Sequence, residues 1–158
     1  MKKLVVLALF SLVACTSTRT IFIVRHAEKI DDSRDPDLSE TGQLRAQKLA
    51  KILADKSIQE IFSTDYKRTR QTANPLAQLN GITIQIYKPD TLDLFVKRIV
   101  KSEKNVLVVG HSNSTLSLLD AMGLAHTIKK IDETDYSNLF IVRLKGSRPK
   151  MSLEESKF

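Results

Sequence analysis

Apolar residues along the chain fall into two kinds of pattern. Ile21-Phe22-Ile23-Val24 and Val106-Leu107-Val108-Val109 are short, unbroken and rich in β-branched residues, the signature of strands covered on both faces of a parallel sheet. Elsewhere apolar positions recur at helical spacing. Ala46, Leu49, Ala50 and Leu53 form one such stripe after Leu38-Ser39-Glu40-Thr41-Gly42, where Ser39 or Thr41 can cap the helix. The same reading predicts a strand over 58–64, then a helix that opens in 65–73 and runs to about residue 79, closed by Asn80-Gly81. An alternating strand nearer the sheet edge follows over 82–86, then a helix over 90–101 and a central strand over 105–109. A helix over 112–122 is stopped by Gly123, and a strand over 139–144 comes next. After the Gly146-Ser147-Arg148-Pro149 turn, 150–154 adds an antiparallel strand. Residues 30–37 are a polar loop, 125–134 carry no clear pattern, and His126 among them reads as a solvated loop residue. Strands alternating with helices through short connections imply an α/β fold, a three-layer α/β/α sandwich around a mostly parallel sheet.

Both buried runs end in charged or polar chemistry. The first stops at Arg25-His26-Ala27-Glu28 and the second at Gly110-His111-Ser112-Asn113. An isolated Arg-His pair reads more simply as the start of a solvated loop. Parallel strands, however, present their carboxyl ends along one edge, where open α/β sheets bind ligands. That edge would gather Arg25, His26, the 63–70 segment with Arg68, and His111. Arginine offers planar forks of donors that match phosphoryl oxygens and keeps its charge. Of two imidazoles near neutral pH, one can be an unprotonated nucleophile while the other donates a hydrogen bond. No metal is expected, because a catalytic zinc needs three protein ligands and the arginines repel a cation.

These motifs resemble the histidine phosphatase superfamily, also called phosphoglycerate mutase-like, over residues 20–144. Arg25-His26-Ala27-Glu28 looks like its Arg-His-Gly/Ala signature, and Ser63 through Arg68 to Gln71-Thr72-Ala73 is similar to its arginine segment. Gly110-His111-Ser112-Asn113 resembles its second histidine motif, and Leu38-Ser39-Glu40-Thr41-Gly42 its common approach to the first helix. The resemblance implies a phosphoglycerate mutase-like fold and no cofactor. It makes His26 the nucleophile that becomes phosphorylated, and Arg25, Arg68 and His111 the phosphate ligands. Backbone N–H groups of Ser112 and Asn113 would assist, since a helix N-terminus favours anions. The implied activity is phosphomonoester hydrolysis, on a phosphorylated small molecule or a phosphoprotein. Two other readings stay open: a non-catalytic phospho-ligand-binding lipoprotein, and a protein phosphohistidine phosphatase. A poor leaving group needs a proton donor, and the nearest candidates between the arginine and second-histidine motifs are Asp90 and Asp93. Asp90 also reads as a helix cap beside Pro89. Glu28 and Asp32 follow the nucleophile closely enough to line the mouth, although Glu28 equally suits a pair with a neighbouring arginine. The interval from Arg68 to His111 leaves no room for the lid insertions of the mutases, which favours a phosphatase.

The first residues have a different character. Lys2 and Lys3 precede an apolar run over 4–13, too short to span a bilayer and patterned like a secretory signal. It ends in Leu12-Val13-Ala14-Cys15, which resembles the lipobox of bacterial lipoproteins. The expected division is a lipoprotein signal peptide over 1–14, a lipidated tether over 15–19 and a histidine phosphatase domain over 20–158. The competing reading makes 4–13 an extra strand or helix of a cytosolic protein. Cys15 is the only cysteine, so no intramolecular disulfide can form and its use would be lipidation. Thr16 rather than an aspartate follows it, which points to a periplasm-facing outer membrane in the bacterial cell envelope. The formal charge of +7 serves solubility or contact with anionic headgroups. Nucleic acid is not an expected partner, since no Lys/Arg cluster is interleaved with aromatic residues.

Overall fold

The unbroken apolar runs are the interior strands of a single six-stranded sheet. The structure, a computed structural model, describes residues 18–158, so the expected signal peptide and Cys15 lie outside the described residues. In chain order the elements are β1 (Thr18–Arg25), α1 (Glu40–Leu53), β2 (Ile58–Ser63), α2 (Lys67–Asn80), β3 (Ile84–Ile86), a 3-10 turn (Pro89–Thr91), α3 (Leu92–Lys101), β4 (Asn105–Gly110), α4 (Ser112–Ala121), β5 (Asn138–Lys145) and β6 (Lys150–Lys157). The sheet order is β3-β2-β4-β1-β5-β6. β3, β2, β4 and β1 run parallel, β5 is antiparallel to β1, and β6 is antiparallel to β5. This is the mostly parallel, three-layer arrangement of a phosphoglycerate mutase-like fold.

Why the central strands lack alternation is visible in what covers them. Ile21, Ile23, Val106 and Val108 face a core completed by Phe95 and Ile99 of α3 and Leu118 and Leu119 of α4. Phe22, Val24, Leu107 and Val109 point the other way, against Leu49 and Leu53 of α1 and Ala73, Leu76 and Ala77 of α2. Successive strand side chains point to opposite faces. A strand with helices on both faces must therefore be apolar at every position. Each large side chain so buried contributes roughly 1.5–3 kcal/mol.

Local chemistry sets the element ends. Ser39 is the cap of α1, its hydroxyl accepting from the Gly42 N–H at 3.1 Å. Gly81 closes α2 in the left-handed conformation, φ +65°. Gly42 is required for a different reason: a Cβ there would overlap the carbonyl oxygen of Glu28 and lie 3.0 Å from that residue's backbone N and C. The first turn of α1 is thus seated directly on the chain two residues beyond His26.

The structure differs from the sequence reading at several edges. β1 begins at Thr18, inside the expected tether, because Thr18 and Arg19 pair with Lys145 and Leu144 of β5; Arg19 is also buried, its Nη2 donating to the Val100 carbonyl at the end of α3, 2.8 Å away. Residues 82–83 stay outside the short β3, and the helix expected over 90–101 is a 3-10 turn leading into α3. β6 extends to Lys157, pairing along the whole of β5. His126 is not a solvated loop residue. Its ring is almost wholly covered, with Nδ1 2.6 Å from the Ile128 carbonyl and Nε2 3.1 Å from Asp120 Oδ1.

Candidate active site

β1 and β4 are neighbours in register, Arg25 opposite Gly110, so the residues that follow them emerge side by side. The His26 N–H donates to the Gly110 carbonyl at 2.9 Å, and the rings of His26 and His111 have centroids 5.4 Å apart. β2 ends on the same edge, the Thr64 N–H donating to the Val109 carbonyl. Close packing here needs a glycine before His111. A Cβ on Gly110 would lie 2.6 Å from Ser114 Oγ and 2.7 Å from the Tyr87 hydroxyl. Between the strand ends opens a cleft of about 620 Å³, lined by Arg25, His26, Lys29, Tyr66, Arg68, His111, Ser112, Asn113 and Glu133 among others.

His26 is only 4% exposed. Its Nδ1 lies 2.8 Å from the Ala27 carbonyl oxygen. A carbonyl can only accept, so Nδ1 carries the proton and Nε2 keeps the lone pair. Burial pushes the pKa of His26 down to about 3, and the positive charges of Arg25 and Arg68 act in the same direction against a partly offsetting bond to Ala27. At neutral pH the ring is therefore uncharged and nucleophilic at Nε2.

His111 is neutral for similar reasons, held down to about 4 by burial and then by Arg68 and Arg25, with Glu133 opposing. Its Nε2 sits 3.0 Å from Thr64 Oγ1. Thr69 donates its hydroxyl hydrogen to the Thr64 or Tyr66 carbonyl, both 2.9 Å away, and accepts from the Thr64 hydroxyl at 3.1 Å. Thr64 is thereby left as acceptor for the His111 Nε2–H. The bare Nδ1 faces Arg68 Nη2 at 3.4 Å. An anion arriving between Arg68 and His111 would favour a proton on that nitrogen.

Each arginine-histidine pair is braced by a tyrosine. Tyr136 lies under the Arg25 guanidinium, 4.3 Å to its ring centroid, with its centroid 5.8 Å from that of His26. Tyr66 stands in the same relation to Arg68 at 4.5 Å and to His111 at 5.0 Å. Arg25 is 3% exposed. Its Nη1 donates to the Asp132 carbonyl at 2.8 Å, and its Nη2 to Glu133 Oε2 at 2.6 Å.

Ser112 and Asn113 line the cleft at the first turn of α4. Asp90 does not. The 3-10 turn presents Pro89 to the cleft, while Asp90 and Asp93 border a separate hollow made by residues 90–94. Glu28 is taken by Arg45, which donates from Nε at 2.9 Å and from Nη2 at 2.7 Å to its Oε1, and Asp32 pairs with Lys29. Among the described residues no group of three His, Cys, Asp or Glu side chains is gathered to hold a metal ion.

Residues 21–89 match the family model described as histidine phosphatase superfamily (branch 1), and this segment carries the Arg25-His26 and Arg68 motifs just located. Over that segment, somewhat under half of its length, the chain is similar to the histidine phosphatase superfamily. A probable phosphatase of Schizosaccharomyces pombe is 27% identical over 142 residues, 81% of this chain and 63% of that protein. A probable phosphoglycerate mutase, GpmB, of Photorhabdus laumondii is 34% identical over 71 residues, covering 40% of this chain and 33% of that one. The chain thus spans less than two thirds of the length of these relatives. Among solved structures, the mycobacterial glucosyl-3-phosphoglycerate phosphatase superposes with a TM-score of 0.68 at 15% identity, covering 87% of this chain and 97% of that one. The protein histidine phosphatase SixA complexed with tungstate gives 0.69 at 14%, covering 87% and 96%.

Four cleft-side residues carry no mark in the sequence reading: Thr64, Tyr66, Glu133 and Tyr136. Thr64 and Tyr66 lie inside the 63–73 motif, so their nearness to Arg68 was a usable signal. Glu133 and Tyr136 fall in or just after the patternless 125–134 stretch, and nothing local marks them.

Proposed function

We propose that the protein hydrolyses phosphomonoesters through a phosphohistidine formed on His26. The observation that carries this reading is the bond from Nδ1 of a buried, uncharged His26 to the Ala27 carbonyl, which leaves the Nε2 lone pair available beside two arginines. Nε2 attacks phosphorus in line as the ester bond breaks. Arg25, Arg68 and His111, the last after taking a proton on Nδ1, receive the equatorial oxygens, with the first N–H groups of α4 adding to the anion field. Water then attacks the phosphohistidine, releasing phosphate and returning the lone pair to Nε2. A second reading, hydrolysis of phosphohistidine on a protein, is favoured by the open cleft: only β3, the 3-10 turn and α3 lie between α2 and β4. The lipobox-like sequence at Cys15 supports an anchored location in a bacterial envelope.

The test is turnover of p-nitrophenyl phosphate at pH 5–7 with a chelator present, beside His26→Ala. Loss of turnover in a folded His26→Ala, with a phosphorylated enzyme trapped in the native chain alone, is the expected result. Near-native activity in that variant would remove the assignment. A native chain that binds phosphate without turnover would make it a binding module.

A further inference from the structure

The cleft contains the nucleophile and the phosphate ligands but no evident proton donor at the positions that the sequence suggested. Asp90 and Asp93 face another hollow, and Glu28 is locked to Arg45. Among the described residues that line the cleft, one carboxylate remains, Glu133. Its side chain is 70% exposed, and both its oxygens are engaged at the site. Oε2 accepts from Arg25 Nη2 at 2.6 Å, and Oε1 accepts from Ser112 Oγ at 2.9 Å. Arg25 is a group that the phosphomonoesterase reading assigns to the substrate, and Ser112 opens the helix whose first N–H groups that reading also turns toward it. The carboxylate of Glu133 therefore occupies the place of a substrate anion.

The chain on either side of Glu133 is pinned. Arg25 Nη1 bonds the Asp132 carbonyl just before it, Tyr136 stacks under the same guanidinium just after it, and Ile131 is buried in the core. A phosphoryl group that takes over Arg25 would displace the carboxylate without removing it from the cleft, leaving it beside the bound phosphoryl oxygens. A phosphomonoester that binds as its monoanion brings one proton with it, and two anionic groups at such close quarters hold that proton between them.

We propose that Glu133 is the proton donor to the leaving group, and the proton acceptor for water in the second half-reaction; this rests on the phosphomonoesterase reading. In the first step the His26 Nε2–P bond forms, the P–O bond to the leaving group breaks, and the carboxylic acid proton of Glu133 goes to the departing oxygen. In the second, water attacks phosphorus, the N–P bond breaks, and the water proton returns to the Glu133 carboxylate. The donor thus comes from the segment after the second histidine motif, and not from between the arginine and second-histidine motifs, where Asp90 and Asp93 lie.

The experiment compares p-nitrophenyl phosphate, whose leaving group departs without a proton, with glycerol phosphate, whose alkoxide needs one. Both are assayed on the native protein, Glu133→Gln and Glu133→Asp, with folding checked by circular dichroism. General acid catalysis contributes ~10²–10⁴-fold, so Glu133→Gln loses about that factor in kcat/KM on glycerol phosphate. Its loss on the aryl ester is at least about tenfold smaller, and Glu133→Asp recovers part of the alkyl activity. Equal losses on the two substrates would mean that Glu133 only positions Arg25 and Ser112, and would overturn the proposal. So would no loss on either, or a native enzyme that cleaves the aryl ester and never the alkyl one. A native protein that turns over neither substrate overturns the phosphomonoesterase reading itself, and the proposal with it.

Discussion

Replacing His26 by asparagine should flatten the dependence of stability on pH. The folded protein holds His26 neutral, with its pKa pushed down to about 3 by burial and by Arg25, His111 and Arg68, while the unfolded chain titrates near 6.5. Between those values the unfolded state binds more protons, so stability rises with pH and is lost on acidification. At pH 8 neither state is protonated at this residue. At pH 5 the unfolded imidazole is nearly fully charged and the folded one is not, a cost of about 1.5 pH units at 1.36 kcal/mol each, or about 2 kcal/mol. His111, held down to about 4, adds a similar amount by the same sign. The native protein should thus lose about 4 kcal/mol from these two rings between pH 8 and pH 5, and His26→Asn about 2 kcal/mol. The comparison depends little on how far below pH 5 the folded value lies. Asp135, whose carboxyl is held below its ordinary value of 3.8 by Lys157, Ser137 and Asn138 in spite of its partial burial, contributes only below this window. Urea unfolding at half-unit steps of pH, in buffers free of phosphate and sulfate, measures the difference. Parallel curves for the two proteins would refute the claim that burial keeps His26 uncharged.

Two further outcomes follow from other parts of the chain. Gly42→Ala places a methyl group against the backbone of Glu28, which cannot swing away as a side chain would; it should cost about 1–3 kcal/mol and lower the thermal midpoint by roughly 3–10 °C. An unchanged midpoint in calorimetry would mean that α1 shifts freely on that loop. Expression of the full-length chain in a bacterium fed labelled fatty acid should label the protein, with the label lost in Cys15→Ala. An unlabelled native chain would remove the lipid anchor.

The strands that matter were legible because their burial is two-sided. Ile21-Phe22-Ile23-Val24 can be apolar throughout only between two helix layers, and α1 with its Ser39 cap and α2 with its Gly81 stop carry their boundaries in local residues. Edges were harder. Thr18 and Arg19 look like tether, and only pairing with Lys145 and Leu144 of β5, far along the chain, makes them part of a strand. β6 was half visible, since its solvated side gives no continuous apolar signal.

The site divides in the same way. Position along the chain determined that Arg25, His26, Arg68 and His111 stand at strand and helix ends, because hydrophobic periodicity and turn residues are local properties. Which nitrogen of each imidazole carries the proton was decided by tertiary contacts, the Ala27 carbonyl for one ring and the Thr64–Thr69 chain for the other. The charge state of both rings came from burial beside two guanidinium groups. Glu133 was out of reach of sequence reasoning altogether. It lies 108 residues from Arg25 in a stretch with no period, and only the fold, by bringing the end of β1 under that loop, places its carboxylate on the arginine.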